Sequence, residues 1–358
     1  MTTSLKPGTG FSLGAVLRAG LAAVLLAGGG NVAADVRATG ATGALGATGA
    51  TGATGAGAAS PSTPACTGPA LPWAELAPGV WLVPGEGGEP APGNGGRVAN
   101  LVVVRQGARV WLLGSGPTPA AGAALACEVR RRLGRPVSDV VNPRAQPELV
   151  LGNAAFPGAR LWAAEPVARA MRRHCPACVE ALAQRIGPAG AALDERAVRL
   201  PQRLLRGSAG RLGPFDWRLL PRGGRSPTLV LRHRASGLWI AHGLLWAGAV
   251  PELRDAELAP LREGTRALLA LVGPAGVVGE QGGPAGAAAL REHLAYWEAL
   301  DAKVRAAVER GALESAASDA LALPEFAHLP HYAERHPLNV QRAWRQAEQA
   351  WLDDTPRR

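Results

Sequence analysis

Short apolar runs, grouped in two sets and each set followed by helical periodicity, organise this chain from about residue 71 onward. Residues 75–83, 98–104 and 109–113 read as strands, and Gln106-Gly107 between the last two is hairpin grammar. A helix is predicted over 120–133, a strand over 137–141, a strand over 160–163, and a helix over 166–186 that Pro166 opens. A second strand-rich half, 212–220, 229–233 and 238–245, precedes helices over 258–271, 285–310 and 338–352. Strands then helices, twice over, predict an α/β fold: an αββα sandwich of two mixed sheets with helices on both outer faces.

The stretch before residue 71 follows other rules. Residues 1–34 read as a signal peptide or N-terminal anchor: Lys6 and Arg18 precede an apolar run over 19–27, and Val32-Ala-Ala34 suits cleavage before Asp35. The run is shorter than the ~20 apolar residues of a spanning helix, so membrane attachment rests only on an uncleaved N-terminal segment. Residues 35–70 form an Ala/Gly/Thr-rich linker, with glycine at every third position from Gly40 to Gly55. That is the collagen period, but no proline lies between Gly40 and Gly55; a flexible tether explains it better. Residues 71–358 are then one folded domain with a C-terminal helical extension.

Charge adds little. The chain is 358 residues long with a formal net charge of +10, carried almost wholly by arginine, since Lys6 and Lys303 are the lysines. These arginines are dispersed and accompany no nucleic-acid motif, so nucleic acid is not an expected partner.

The candidate chemistry starts at 139–156, where a strand runs into Asn142, a short polar loop follows, and Gly152-Asn153 opens the next segment. This frame resembles the signature loop of the metallo-β-lactamase superfamily, Asn-Thr-His-x-His-x-Asp-His-x-x-Gly-Asn. The resemblance implies the αββα metallo-β-lactamase sandwich and a zinc-dependent hydrolase. At the ligand positions this chain has Arg144, Gln146, Glu148 and Leu149. The family's Gly-His-Thr-Pro is matched by Gly224-Arg225-Ser226-Pro227, and its bridging aspartate by Gly243. Its last histidine is matched by Gln281, or by Glu280 if the register slips by one. Zinc needs three or more imidazole, carboxylate or thiolate ligands, so no cofactor is predicted although the resembled family uses zinc. Gly114-Ser115-Gly116, where that family has an acidic turn, reads as a turn without a ligand.

Arg144 and Arg225 are therefore expected to share a cleft where metal would otherwise supply positive charge, and two guanidinium forks suit a carboxylate or phosphate. The competing expectation is an internal Arg144–Glu148 salt bridge that closes the site. Val110 to Pro119, Cys175-Pro-Ala-Cys178 and His336 to Trp344 further resemble the quinoprotein relay system zinc metallohydrolase 2-like group. That resemblance implies a periplasmic or secreted protein working beside a pyrroloquinoline-quinone dehydrogenase system.

Cys175 and Cys178 are candidates for a disulfide or a redox pair, with Arg172-Arg173-His174 favouring thiolate. Cys127 is expected inside its helix and Cys66 on the tether. A metal site at His328, His331 and His336 is disfavoured by Pro330 and Pro337, and His242 reads as a hydrogen-bonded structural group. No nucleophile elbow is present. Three functions remain open: a metal-free accessory protein binding a small anion or a partner, an active metal-dependent hydrolase, and a structural interaction module with a plugged cleft.

Overall fold

A computed structural model describes Cys66, residues 70–314 and residues 320–354. Of the two compact units into which the chain divides, Met1–Ser60 and Pro61–Arg358, these residues fall in the second. The signal or anchor reading of residues 1–34 and nearly all of the linker lie outside the described residues.

The first sheet has seven strands in the order β1 (Ala74–Ala77), β2 (Val80–Val83), β3 (Leu101–Gln106), β4 (Arg109–Leu113), β5 (Asp139–Asn142), β6 (Arg160–Ala164) and β7 (Arg203–Leu205). β1 to β4 pair antiparallel and β4 to β7 parallel. The parallel connections pass through α1 (Pro119–Leu133), the short α2 (Pro147–Val150) and α3 (Glu165–Ile186). Thr118 caps α1 by accepting from the Ala121 N–H at 3.0 Å. The second sheet runs β12 (Val277–Val278), β11 (Trp239–Ile240), β10 (Thr228–His233), β9 (Phe215–Leu220) and β8 (Ala209–Leu212). Three long helices, α4 (Leu258–Leu271), α5 (Ala287–Glu309) and α6 (Tyr332–Asp354), complete the chain.

Burial explains the layering. Val102, Trp111, Leu113 and Val141 of the first sheet meet Phe215, Trp217, Leu229, Leu231 and Ile240 of the second in a shared core. Val103, Leu112 and Val140 point the other way, onto Leu125 and Val129 of α1. Val230 and Trp239 of the second sheet back onto Leu261, Trp297 and Trp344 of α4, α5 and α6. The alternation of side chains along each strand thus feeds two cores at once, and the predicted αββα sandwich is the observed architecture.

Two predicted strands are shorter than the apolar pattern suggests. The 212–220 run splits into β8 and β9 at Gly213-Pro214, where Gly213 takes φ +51°. Of 238–245 only Trp239 and Ile240 are strand; Leu244 and Leu245 are buried in the helix-side core, so their hydrophobicity reports packing and not extension. The last helix begins at Tyr332, earlier than predicted, and carries Pro337 inside it.

Candidate functional site: an arginine-walled cleft beside a sealed pair

The residues that hold the signature loop do so by hydrogen bonding and close contact. Asn142 and Asn153 exchange side-chain amide bonds at 3.0 and 2.9 Å, and Asn153 also donates to the Arg199 carbonyl at 2.9 Å. A Cβ on Gly152 would lie 2.0 Å from the Ser115 carbonyl oxygen, so only glycine lets the two turns meet. Ser115 donates to the Leu149 carbonyl at 3.2 Å and is fully buried, so it ties its turn to the signature loop.

From that loop the polypeptide places Arg144 inward. The residue is 3 % exposed; its guanidinium donates to Gln146 Oε1 at 2.6 Å and to Glu280 Oε2 at 3.3 Å. Gly243 explains the space it occupies. At φ +79°, a Cβ there would lie 2.7 Å from Arg144 Nη1 and 3.0 Å from Arg222 Nε, so two guanidinium groups fill the volume into which a larger side chain would project. Arg222 in turn donates to the carbonyls of Gly243, Asp255 and Arg254 at 3.1, 2.6 and 2.6 Å. Burial, and then the neighbouring Arg144 charge, push the Arg222 guanidinium down to about 9.

These contacts correct the expected cleft. Arg144 does not open into it: the residue is sealed by an ion pair, and its partner is Glu280 and not Glu148. Glu148 instead faces Arg254, Nη2 to Oε1 at 3.0 Å. Leu149 is fully buried in the inter-sheet core. Gly243 is closed off by the two arginines. Gln281 is held by Arg335 at 2.7 Å and donates to the Gly88 carbonyl at 3.1 Å, while its neighbour Glu280 is the residue that meets Arg144. His242 is structural, as expected, with Nε2 2.8 Å from the Asn100 carbonyl oxygen.

Gln146, Glu148 and Arg225 do line one cleft of about 410 Å³, joined by Cys178 and Arg185 of α3, Arg254 and Asp255 of the loop before α4, and Arg342 of α6. Arg225 is oriented by Asp255, Nε to Oδ1 at 3.1 Å, and donates Nη1 to Cys178 Sγ at 3.0 Å. Arg254 is bound by Glu148 and, at 2.9 Å, by Glu252. Among the buried lining atoms without a hydrogen bond, Arg254 Nε and the two Glu148 oxygens belong to ion-paired residues, whereas Gln146 Nε2 and Arg342 Nη1 do not. Gln146 is 1 % exposed, with its Oε1 taken by Arg144 and its Nε2 unpaired. Arg342 Nη1 is likewise buried without a partner, and Arg342 forms no ion pair with any described residue.

Of the two readings of Cys175 and Cys178, the structure shows no disulfide between them and leaves the redox pair open. The disulfide joins Cys66 to Cys127, drawing the end of the tether onto α1, whereas Cys175 and Cys178 are buried free thiols. His336 is buried against Tyr296 at 3.0 Å, and among the described residues no group of three His, Cys, Asp or Glu side chains is placed to hold a metal ion. Arg222, Arg254, Arg335 and Glu252 were missed by sequence reasoning. Arg342 lay inside a quoted motif, but nothing in its spacing marked a role.

Two mixed sheets between helical layers define an αββα sandwich, and the solved structures agree. The chain has the metallo-β-lactamase fold. It superimposes on a metallo-β-lactamase from Hirschia baltica with TM-score 0.51 at 14 % identity, covering 63 % of this chain and 97 % of that one. It is equally similar to the FIM-1 metallo-β-lactamase from Pseudomonas aeruginosa, solved in a mono-zinc form (TM-score 0.51, 16 % identity, 64 % and 95 % covered). A metallo-β-lactamase from Erythrobacter litoralis gives TM-score 0.50 at 17 % identity, with 63 % and 95 % covered. No protein-family model matches the chain, and no curated protein matches it.

The zinc that the resemblance implies does not fit these residues. A permanently charged guanidinium at Arg144 cannot ligate a cation, it occupies the space beside Gly243, and Glu280 is already its counter-ion.

Proposed function

We propose that this protein is a metal-free member of the metallo-β-lactamase fold that binds a small anionic ligand in the arginine-walled cleft. The observation that carries the reading is Arg342, a cleft-lining guanidinium that forms no ion pair with any described residue. A guanidinium without a counter-ion suits a small carboxylate or phosphate. Arg225 and Arg185 add positive charge to the same walls. A metal-dependent hydrolase is disfavoured by the sealed Arg144–Glu280 pair, and a plugged module by the volume that remains beside it.

The finer expectations belong to the same proposal. Export to the periplasm or beyond is supported by the N-terminal pattern and by a disulfide, which persists in oxidising compartments. Service beside a quinoprotein dehydrogenase system is supported by the three sequence motifs alone.

Calorimetric titration of the purified chain with malonate, succinate and inorganic phosphate tests the reading. Saturable binding is expected, weakened at least ~10-fold by Arg342→Ala, equal to about 1.4 kcal/mol. Undetectable binding of all three anions, or stoichiometric zinc in the purified protein, defeats it.

A further inference from the structure

We propose that Cys175 and Cys178 are a dithiol–disulfide pair that exchanges with small carboxylate-bearing disulfides held in the cleft. The proposal rests on the anion-binding reading and names the class of ligand.

The geometry assigns the two sulfurs different tasks. They stand three residues apart on α3, where helix geometry sets the Cα atoms about 5 Å apart, within the span of a disulfide. Cys178 lines the cleft and Cys175, fully buried, lies behind it. Pro176 has no N–H, so the helix ladder is already interrupted between them, which eases the small adjustment that bond formation needs. Arg225 Nη1, 3.0 Å from Cys178 Sγ, places a fixed cation on the attacking sulfur.

The thiols' acidities fit this division. The Cys175 hydrogen bond, then the Arg225 charge and hydrogen bond, outweigh burial and hold Cys178 down at about 7, with Asp255 opposing. The same bond and burial push Cys175 up. Arg254 and Glu148 face the cleft as a pair, and Arg342 faces it from α6.

The exchange runs in two balanced steps. The Cys178 thiolate attacks one sulfur of R–S–S–R′, forming a mixed disulfide and expelling R′–S⁻. Cys175 then attacks Cys178 Sγ while its proton passes to the departing sulfur; the Cys175–Cys178 bond forms and R–SH leaves. The dithiol loses two electrons and the small disulfide gains them.

The test uses the full chain with Cys66–Cys127 left oxidised, followed by intact mass and thiol titration. The probes are oxidised glutathione, which carries carboxylates, and cystamine, which is cationic. In the parent chain oxidised glutathione is expected to consume both free thiols. Cys175→Ser is expected to stop at one glutathionyl group and Cys178→Ser to take up none. Oxidised glutathione is expected to react at least ~10-fold faster than cystamine, as charge steering allows, and Arg342→Ala is expected to remove that advantage. Retention of both thiols in the parent chain, while malonate or phosphate still binds, overturns the dithiol proposal and leaves the anion reading standing. Equal rates with the two disulfides overturn the acidic substrate class.

Discussion

The Arg144–Glu280 pair can be tested as a unit, because each partner's removal leaves a different debt. The side chains are 4 % and 5 % exposed and 3.3 Å apart, which at an effective dielectric of 20 is about 5 kcal/mol of attraction before desolvation. Glu280→Gln strands Arg144 and Arg222 together around Gly243 with no acid between them. A loss of about 4 kcal/mol is expected, as for other uncompensated buried charges. Arg144→Met leaves Glu280 near Arg222, which serves as a substitute counter-ion, so about 3 kcal/mol is expected. The double variant removes both members of the pair and leaves Arg222 with its three carbonyl acceptors and the charges of Asp255 and Glu252; its further cost is Gln146 Oε1 without its donor, about 1–2 kcal/mol. Urea unfolding of the four chains, disulfide intact, gives the coupling directly, and at least ~2 kcal/mol of non-additivity is expected. Additive single effects below about 1 kcal/mol would show that the guanidinium is not locked in place, and the case for a sealed centre would collapse.

Three further outcomes follow from local geometry. Gly243→Ala and Gly248→Ala both place alanine at positive φ, but only Gly243 has arginine atoms within 3 Å; beyond the strain of about 1–3 kcal/mol common to both, Gly243→Ala is expected to lose more stability in urea. Removing the Cys66–Cys127 bond, which spans 61 residues, is expected to cost about 4 kcal/mol by loop entropy, read by unfolding Cys127→Ser against the parent. His293 is held down at about 4, chiefly by burial, from an ordinary 6.5. The unfolded chain therefore takes up this proton first, and stability that is complete above pH 6.5 falls as pH drops toward 4, by about 3 kcal/mol. In His293→Gln that part of the slope is expected to vanish, and an unchanged slope between pH 4.5 and 6.5 would count against burial as the cause.

How much of this was legible in the sequence depended on which residues do which work. Asn142, Gly152 and Asn153 hold the loop by amide exchange and by absence of a Cβ, and these needs are local and specific to residue type. They left a readable frame, and alternation along β3, β4 and β10 gave the sandwich. The interior of the site is held instead by long arginines that reach across the fold: Arg222 to carbonyls some thirty residues on, and Arg335 to Gln281, 54 residues away. No spacing rule encodes such contacts, so an arginine at 222 or 342 looked like the many that cover the surface. The disulfide was hidden for the same reason, since Cys66 sits in a composition that predicts no structure at all.

The same division bears on the metal-free reading proposed for this scaffold. The loop's backbone is fixed by asparagines and glycines that never touch the centre, so the positions facing inward can change without unfolding the loop. What they cannot do is leave a void or an unpaired charge. Arg144 satisfies both demands only together with Glu280 as counter-ion, Gln146 as acceptor, and a residue at 243 with no side chain. These four positions therefore form one interlocking solution, distinct from the metal-binding one. Restoring a single ligand, for instance by Arg144→His, would leave Glu280 opposite Arg222 and an empty space beside Gly243. Such a variant is expected to lose about 3 kcal/mol in urea, as Arg144→Met does, and to purify without stoichiometric zinc. Stoichiometric zinc in that single variant would mean that the old centre survives beneath the arginine.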